Sequence, residues 1–235
     1  MARKAEPTVD PEEPICAFCL KPMSLSVCET VAPIANRVEL LVLQHPQEQD
    51  KLLGTARLTV HHLKNATFKV GLSWPSLAKA LGREADPKRW AVLFLGSIKP
   101  SDFPPGREIA VFNAKGKAVE YQDGALRGID GVVVLDGTWS QAKTLWWRNP
   151  WVLKCKRIAL MPKSASLYGK LRREPRREGL ATIEAAALLL SALESKPDIE
   201  RTMLSTFRRL LQRYRDAAAA APAATPRKEP VGTPQ

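Results

Sequence analysis

The stretch GVVVLDGTWSQAKTLWWRNP, Gly131 to Pro150, decides the fold. Val132, Val133, Val134 and Leu135 form a continuous apolar run that stops abruptly at Asp136. An apolar run of strand length without alternation is the pattern of a strand buried on both faces. From Thr138 onward the pattern changes to helical spacing, with the threonine placed to cap and Gly137 allowing a tight turn. Four of the six tryptophans, Trp139, Trp146, Trp147 and Trp151, lie in or just beyond this stretch.

Working outward, similar apolar runs recur at 37–45 (RVELLVLQH), 90–96 (WAVLFLG) and 156–162 (KRIALMP), with a shorter one in ATFKVGL. Helical spacing is predicted between them, in PQEQDKLLGTARLTVHHL, PSLAKALG, TIEAAALLLSALES and the amphipathic segment from about Pro197 to Ala220. REIAVFNAKGKAVEY (107–121) reads as a small β-hairpin around Lys115–Gly116. Apolar strands alternating with helices predict an α/β fold, a mostly parallel sheet with helices on both faces. In such folds ligands bind outside the carboxyl ends of strands, which is where Asp136 falls. Gln44 and His45 end another such strand, as do Leu95 and Gly96.

The expected organisation is a disordered tail (1–13), a cysteine knuckle (14–30), one catalytic domain (31–216) and a second disordered tail (217–235). Apolar residues make up 45% of the 235, enough for a sizeable core. No run reaches the roughly 18 apolar residues of a membrane span, and the start resembles no signal peptide, so the expectation is a cytoplasmic chain without a membrane partner. The net charge of +12 favours a polyanion as partner, nucleic acid first. Cys16 and Cys19 form a C-x-x-C, with Cys28 beyond, a zinc-like pattern lacking a fourth local ligand unless Glu29, a distant histidine or Cys155 joins.

LDGTWSQAKTL resembles the signature of the DTW-domain family, the tRNA-uridine aminocarboxypropyltransferases. CAFC…C resembles that family's N-terminal knuckle, LQHPQEQDKLLGTARL its HP-x-E block, AVLFLG its nucleotide-side strand, and YGKLRREPRREGLATIEAAALLL its closing segment. The match covers about residues 15–210. It departs in the knuckle, which in the family commonly ends in C-x-C, and at 107–121, which has no evident family counterpart. The resemblance implies a SPOUT-like fold, knotted in related enzymes, and S-adenosylmethionine as donor of a 3-amino-3-carboxypropyl group to N3 of a tRNA uridine. A SPOUT-like RNA methyltransferase and a non-catalytic RNA-binding protein are the alternatives. The oligomeric state and the uridine modified are not readable from the chain.

Read this way, Asp136 is a general-base candidate or simply a turn acceptor, because uridine N3–H must lose its proton to become nucleophilic. Thr138 caps the helix or touches substrate. Trp139 stacks on a base or fills core; of Trp146 and Trp147, core is the expected fate. The resemblance makes Leu95, Gly96, Leu135 and Gly137 donor contacts. It also draws in Thr182 and Glu184, where a helix start offers amides to a carboxylate and Glu184 an acid to an ammonium; the bland reading is an acid at a positive helix end. Arg57, Arg148, Lys154, Lys170, Arg172 and Arg173 are the RNA-phosphate candidates. Cys16, Cys19 and Cys28 are the metal candidates.

Overall fold

Strand β5 (Gly131–Asp136) is buried along Gly131–Leu135 and sits inside the sheet, parallel to β1 (Glu39–Gln44) on one side and β3 (Trp90–Leu93) on the other. The computed structural model describes residues 7, 10–93, 98, 100–169, 171 and 179–220. Six strands form one sheet in the order β2-β1-β5-β3-β6-β4, with β2 at Ala66–Val70, β6 at Lys156–Leu160 and β4 at Ile109–Phe112. Only β4, on β6, pairs antiparallel. The mostly parallel α/β sheet expected from the apolar runs is therefore present.

The two faces of the sheet carry separate cores, because alternate side chains along each strand point to opposite sides. Leu40, Val42, Val132 and Val134 pack against helix α5 (Thr182–Glu194) and helix α6 (Pro197–Ala220), through Ile183, Ala186, Leu190 and Phe207. Leu41, Leu43, Val133 and Leu135 pack on the other side with helix α4 (Trp139–Arg148), through Ala142 and Leu145, and with Trp151. The short helices α1 (Ala56–His61), α2 (Leu77–Leu81) and α3 (Gln122–Arg127) fill the connections. Gly82 ends α2 in the left-handed region, where glycine carries no Cβ penalty.

Two expectations change. The helix predicted from Pro46 is only a 3-10 turn at Pro46–Glu48, and α1 begins after Thr55. The tight turn that brings the Gly54 amide to the Lys51 carbonyl (2.8 Å) breaks the helix between them. The 107–121 hairpin contributes one strand, β4, and a single bridge between Phe112 and Ala118. Gln122 stands in for the missing strand: its side chain accepts from the Val111 amide (2.8 Å) and donates to the Val111 carbonyl (3.0 Å). The last helix, expected from about Pro197 to Ala220, is found with those bounds, its final alanines being the best helix formers. Residues 221–235 and 1–6 lie outside the described residues.

Gly131 lets Trp90 lie flat across β5: a Cβ there would stand 2.5 Å from the indole. Gly131→Ala is expected to cost about 1–3 kcal/mol by overpacking, read as a lower urea midpoint at unchanged slope. His62 is wholly buried, with both ring nitrogens lacking a hydrogen-bond partner among the described residues. Burial, then the neighbouring His61, pushes its pKa down to about 4. The unfolded state therefore binds more protons between about pH 6.5 and 4. Stability should be complete above that window and fall as pH drops through it. Denaturant titrations of the wild type and His62→Gln across that range check this, the variant losing the slope.

Candidate active site

The site forms where β1 and β5 end side by side. Gln44 and Asp136 are register partners, and the Gln44 amide donates to one Asp136 carboxylate oxygen at 2.8 Å. The Thr182 hydroxyl, at the first turn of α5, donates to the other oxygen. Asp136, on β5, is thus gripped from two other elements, β1 and α5, that are far apart in sequence. Each carboxylate oxygen has a second lone-pair direction left for a further donor. Gln44 Oε1 is buried with no donor among the described residues.

Behind Asp136 the chain turns tightly. The His45 amide donates to the Asp136 carbonyl (2.9 Å), and a Cβ at Gly137 would stand 2.9 Å from Gln141 Cβ. Gly137 is there because α4 and the His45 turn leave no room for a side chain. Thr138 and Gln141 form a reciprocal capping box: the Thr138 hydroxyl accepts from the Gln141 amide, and the Gln141 side chain accepts from the Thr138 amide (2.6 Å). Of the two roles open to Thr138, the cap is the one occupied. Trp139 follows at the first helical position, half-buried beside the site. Gln141 also donates to Gln47 (3.3 Å), tying α4 to the Pro46–Glu48 turn.

Several candidates have other employment. Both oxygens of Glu184 are engaged by the chain, accepting from Ser166 Oγ (2.6 Å), the Leu167 amide (2.7 Å) and the Ala181 amide (2.8 Å). It clamps α5 to the 166–168 loop, as the bland reading of an acid at a helix start would have it. The Leu135 side chain lies in the core, leaving only its backbone to face a ligand. The Arg57 guanidinium stacks on Phe68 at 4.7 Å, with its Nε buried and unpartnered among the described residues. Arg148 and Lys154 are exposed. Trp147, expected in the core, is 75% exposed, while Trp146 is half-buried and Trp151 buried. The helix turns the adjacent tryptophans apart and Trp146 takes the inner position. Leu95, Gly96, Lys170, Arg172 and Arg173 lie outside the described residues.

The knuckle brings Cys16, Cys19 and Cys28 together, all buried, with their sulfurs within 4.8 Å of one another. A hydrogen bond with Cys28, the largest influence, holds the Cys19 thiol down at about 5 and pushes Cys28 up. Of the three sequence candidates for a fourth ligand, Glu29, a histidine or Cys155, none groups with them among the described residues. Glu29 pairs with Arg213 of α6, and Cys155 lies in the core on the other face of the sheet. Lys21, which motif reading passed over, is 5% exposed and donates to the Lys51 carbonyl at 3.3 Å. Burial lowers it to about 8, opposed by the charges of Cys19, Cys28 and Asp136. The one advance sign of it was a lysine between knuckle cysteines.

Residues 13–215 match the DTW domain family model, and the chain belongs to that family. It is similar to tRNA-uridine aminocarboxypropyltransferase 2 of Macaca fascicularis, 28% identical over 193 residues that cover 81% of this chain and 60% of the relative. The Mus musculus protein of the same name is 28% identical over 199 residues, with the same coverage. That of Drosophila melanogaster is 27% identical over 209 residues, covering 87% of this chain and 76% of the relative. The chain thus spans 60% of the length of the two mammalian relatives. No solved structure matches.

Glu184→Ala removes the acceptor for three hydrogen bonds in a buried setting. It should cost roughly 2–4 kcal/mol and open the 166–168 loop to proteolysis, measured by chemical denaturation and limited proteolysis. Unchanged stability with weakened donor binding would return Glu184 to the ligand-binding role.

Proposed function

We propose that this DTW-domain protein transfers a 3-amino-3-carboxypropyl group from S-adenosylmethionine to N3 of a uridine in tRNA. The observation that carries the reading is Asp136, a carboxylate fixed by Gln44 and Thr182 at the carboxyl edge of a parallel sheet. Family membership and the names of the relatives support the reaction class. The donor supplies an electrophilic carbon on its sulfonium, so that as N3–C forms and S–C breaks, sulfur keeps the electron pair and leaves in methylthioadenosine. The chain's residues bear on the other half of the step. Asp136 accepts the N3 proton while Gln44 and Thr182 hold its oxygens in one orientation, so that geometry supplies part of the barrier reduction. The donorless Gln44 Oε1 beside that carboxylate fits a ligand that brings positive charge. Trp139 offers a face for the uridine ring.

The same reading extends to the SPOUT-like form, supported by a late strand, β5, inserted between β1 and β3. A cytoplasmic setting is supported by four free thiols. We assign a structural zinc to Cys16, Cys19 and Cys28, whose mutual sulfur distances suit thiolates about 2.3 Å from one ion. Purified protein should carry one zinc by elemental analysis, and Cys16→Ser should lose it with a lower Tm; metal-free wild type would overturn this assignment.

Incubation of protein, unmodified tRNA and donor should yield modified uridine by nucleoside mass spectrometry, with methylthioadenosine released. S-adenosylhomocysteine instead would indicate methyl transfer, and neither product would sink the transferase reading. Asp136→Asn should lower kcat by about 10²–10⁴ with donor affinity nearly unchanged; normal turnover would exclude Asp136 as the base.

A further inference from the structure

A cleft of about 430 Å³ opens at the opposite end of the sheet from Asp136. It lies where β6 begins and β4 ends: Lys156 and Arg157 line it from β6, Phe112 and Asn113 from β4 and the turn after it. Lys88, just before β3, and Lys154, just before β6, complete a lining with four cations and no acid. The six residues of β5 put this end roughly 15–20 Å from the reaction site.

Two of these cations are structural. Lys156 donates to the Ala125 carbonyl (3.1 Å), and Arg157 donates to the Ala114 carbonyl (2.8 Å) while lying over the Trp146 ring. They fix the walls. Lys88 and Lys154 are exposed, and neither forms an ion pair among the described residues. The turn at 113–117 adds exposed Lys115 and Lys117 near the rim and is held rigidly, Asn113 Oδ1 accepting from both lysine amides at 2.9 and 3.1 Å. Tyr121, 68% exposed, also lines the cleft, its hydroxyl accepting from Arg127 at 3.0 Å. Its ring lies against Gly124, where any side chain would strike it.

We propose that this cleft is a second docking site for the RNA substrate, gripping phosphates with Lys88 and Lys154 while Tyr121 stacks on an unpaired base. Cations clustered without acids attract a polyanion, and an oriented aromatic among them selects nucleic acid over other polyanions. The site rests on the tRNA reading above and gives a role to the 107–121 segment, which has no evident counterpart in the family signature. A tRNA is long enough to occupy both ends of the sheet at once, so the cleft anchors the body of the substrate while the uridine reaches Asp136.

The test is fluorescence anisotropy of labelled tRNA with full-length wild type, Lys88→Glu/Lys154→Glu, Tyr121→Ala, and a control reversal on the outer face of α6, Arg208→Glu/Arg209→Glu. Folding of each is checked by its thermal melt. The cleft reversal should weaken binding about tenfold or more and reduce the slope of log K against log salt by about two. Tyr121→Ala should weaken binding without changing that slope, and the control should do neither. Wild-type-like binding by the folded cleft reversal would overturn the proposal, as would an equal loss in the control or equal competition by polyglutamate. Wild type that binds no tRNA at all would overturn the tRNA reading itself.

Discussion

The bridge from Gln44 through Asp136 to Thr182 is the interaction on which the site depends. A strand buried on both faces offers no room for a charge until it ends, and there the carboxylate needs donors. The neighbouring strand and the start of α5 supply them. The same bridge joins the two cores at their shared edge, since β1 and β5 contribute to both and α5 belongs to one. Moving Asp136 by one residue would put it in the interior of the sheet, where these donors do not reach.

The elements that build this frame were legible wherever burial alone decides structure. Continuous apolar runs identified β1, β5 and β6, and the Thr138 cap marked the start of α4. Reading failed where a nearby turn or side chain takes the hydrogen bonds that the expected element would use. The second arm of the expected hairpin pairs through a single bridge, Phe112 with Ala118, and beyond it Gln122 takes the Val111 amide. The early part of α1 gives way to the turn ending at Gly54.

The site divides along the same line. Asp136, Gly137 and the cysteine triad are local patterns and were visible. The meeting of residues 44, 136 and 182 is tertiary, so Gln44 could be noted as a strand end but not as a partner of the carboxylate. Glu184 shows how a capping acid and a ligand-binding acid share one sequence signature. Only the Ser166 and Leu167 contacts, from a loop across the site, distinguish them. Lys21 was invisible for the opposite reason: lysines are seldom buried, and nothing local announces one that is.

Lys21 also makes the knuckle part of the site rather than an appendage. A buried cation is tolerated only where opposite charge or acceptors surround it. Here the Lys51 carbonyl accepts its proton, while Cys19, Cys28 and Asp136 lie within electrostatic reach. The cysteines pack into the same core as Ile183 of α5 and Phe207 of α6. A DTW domain lacking the fourth knuckle cysteine therefore keeps a structural reason for the other three. Their charges, with that of Asp136, oppose the effect of burial on Lys21.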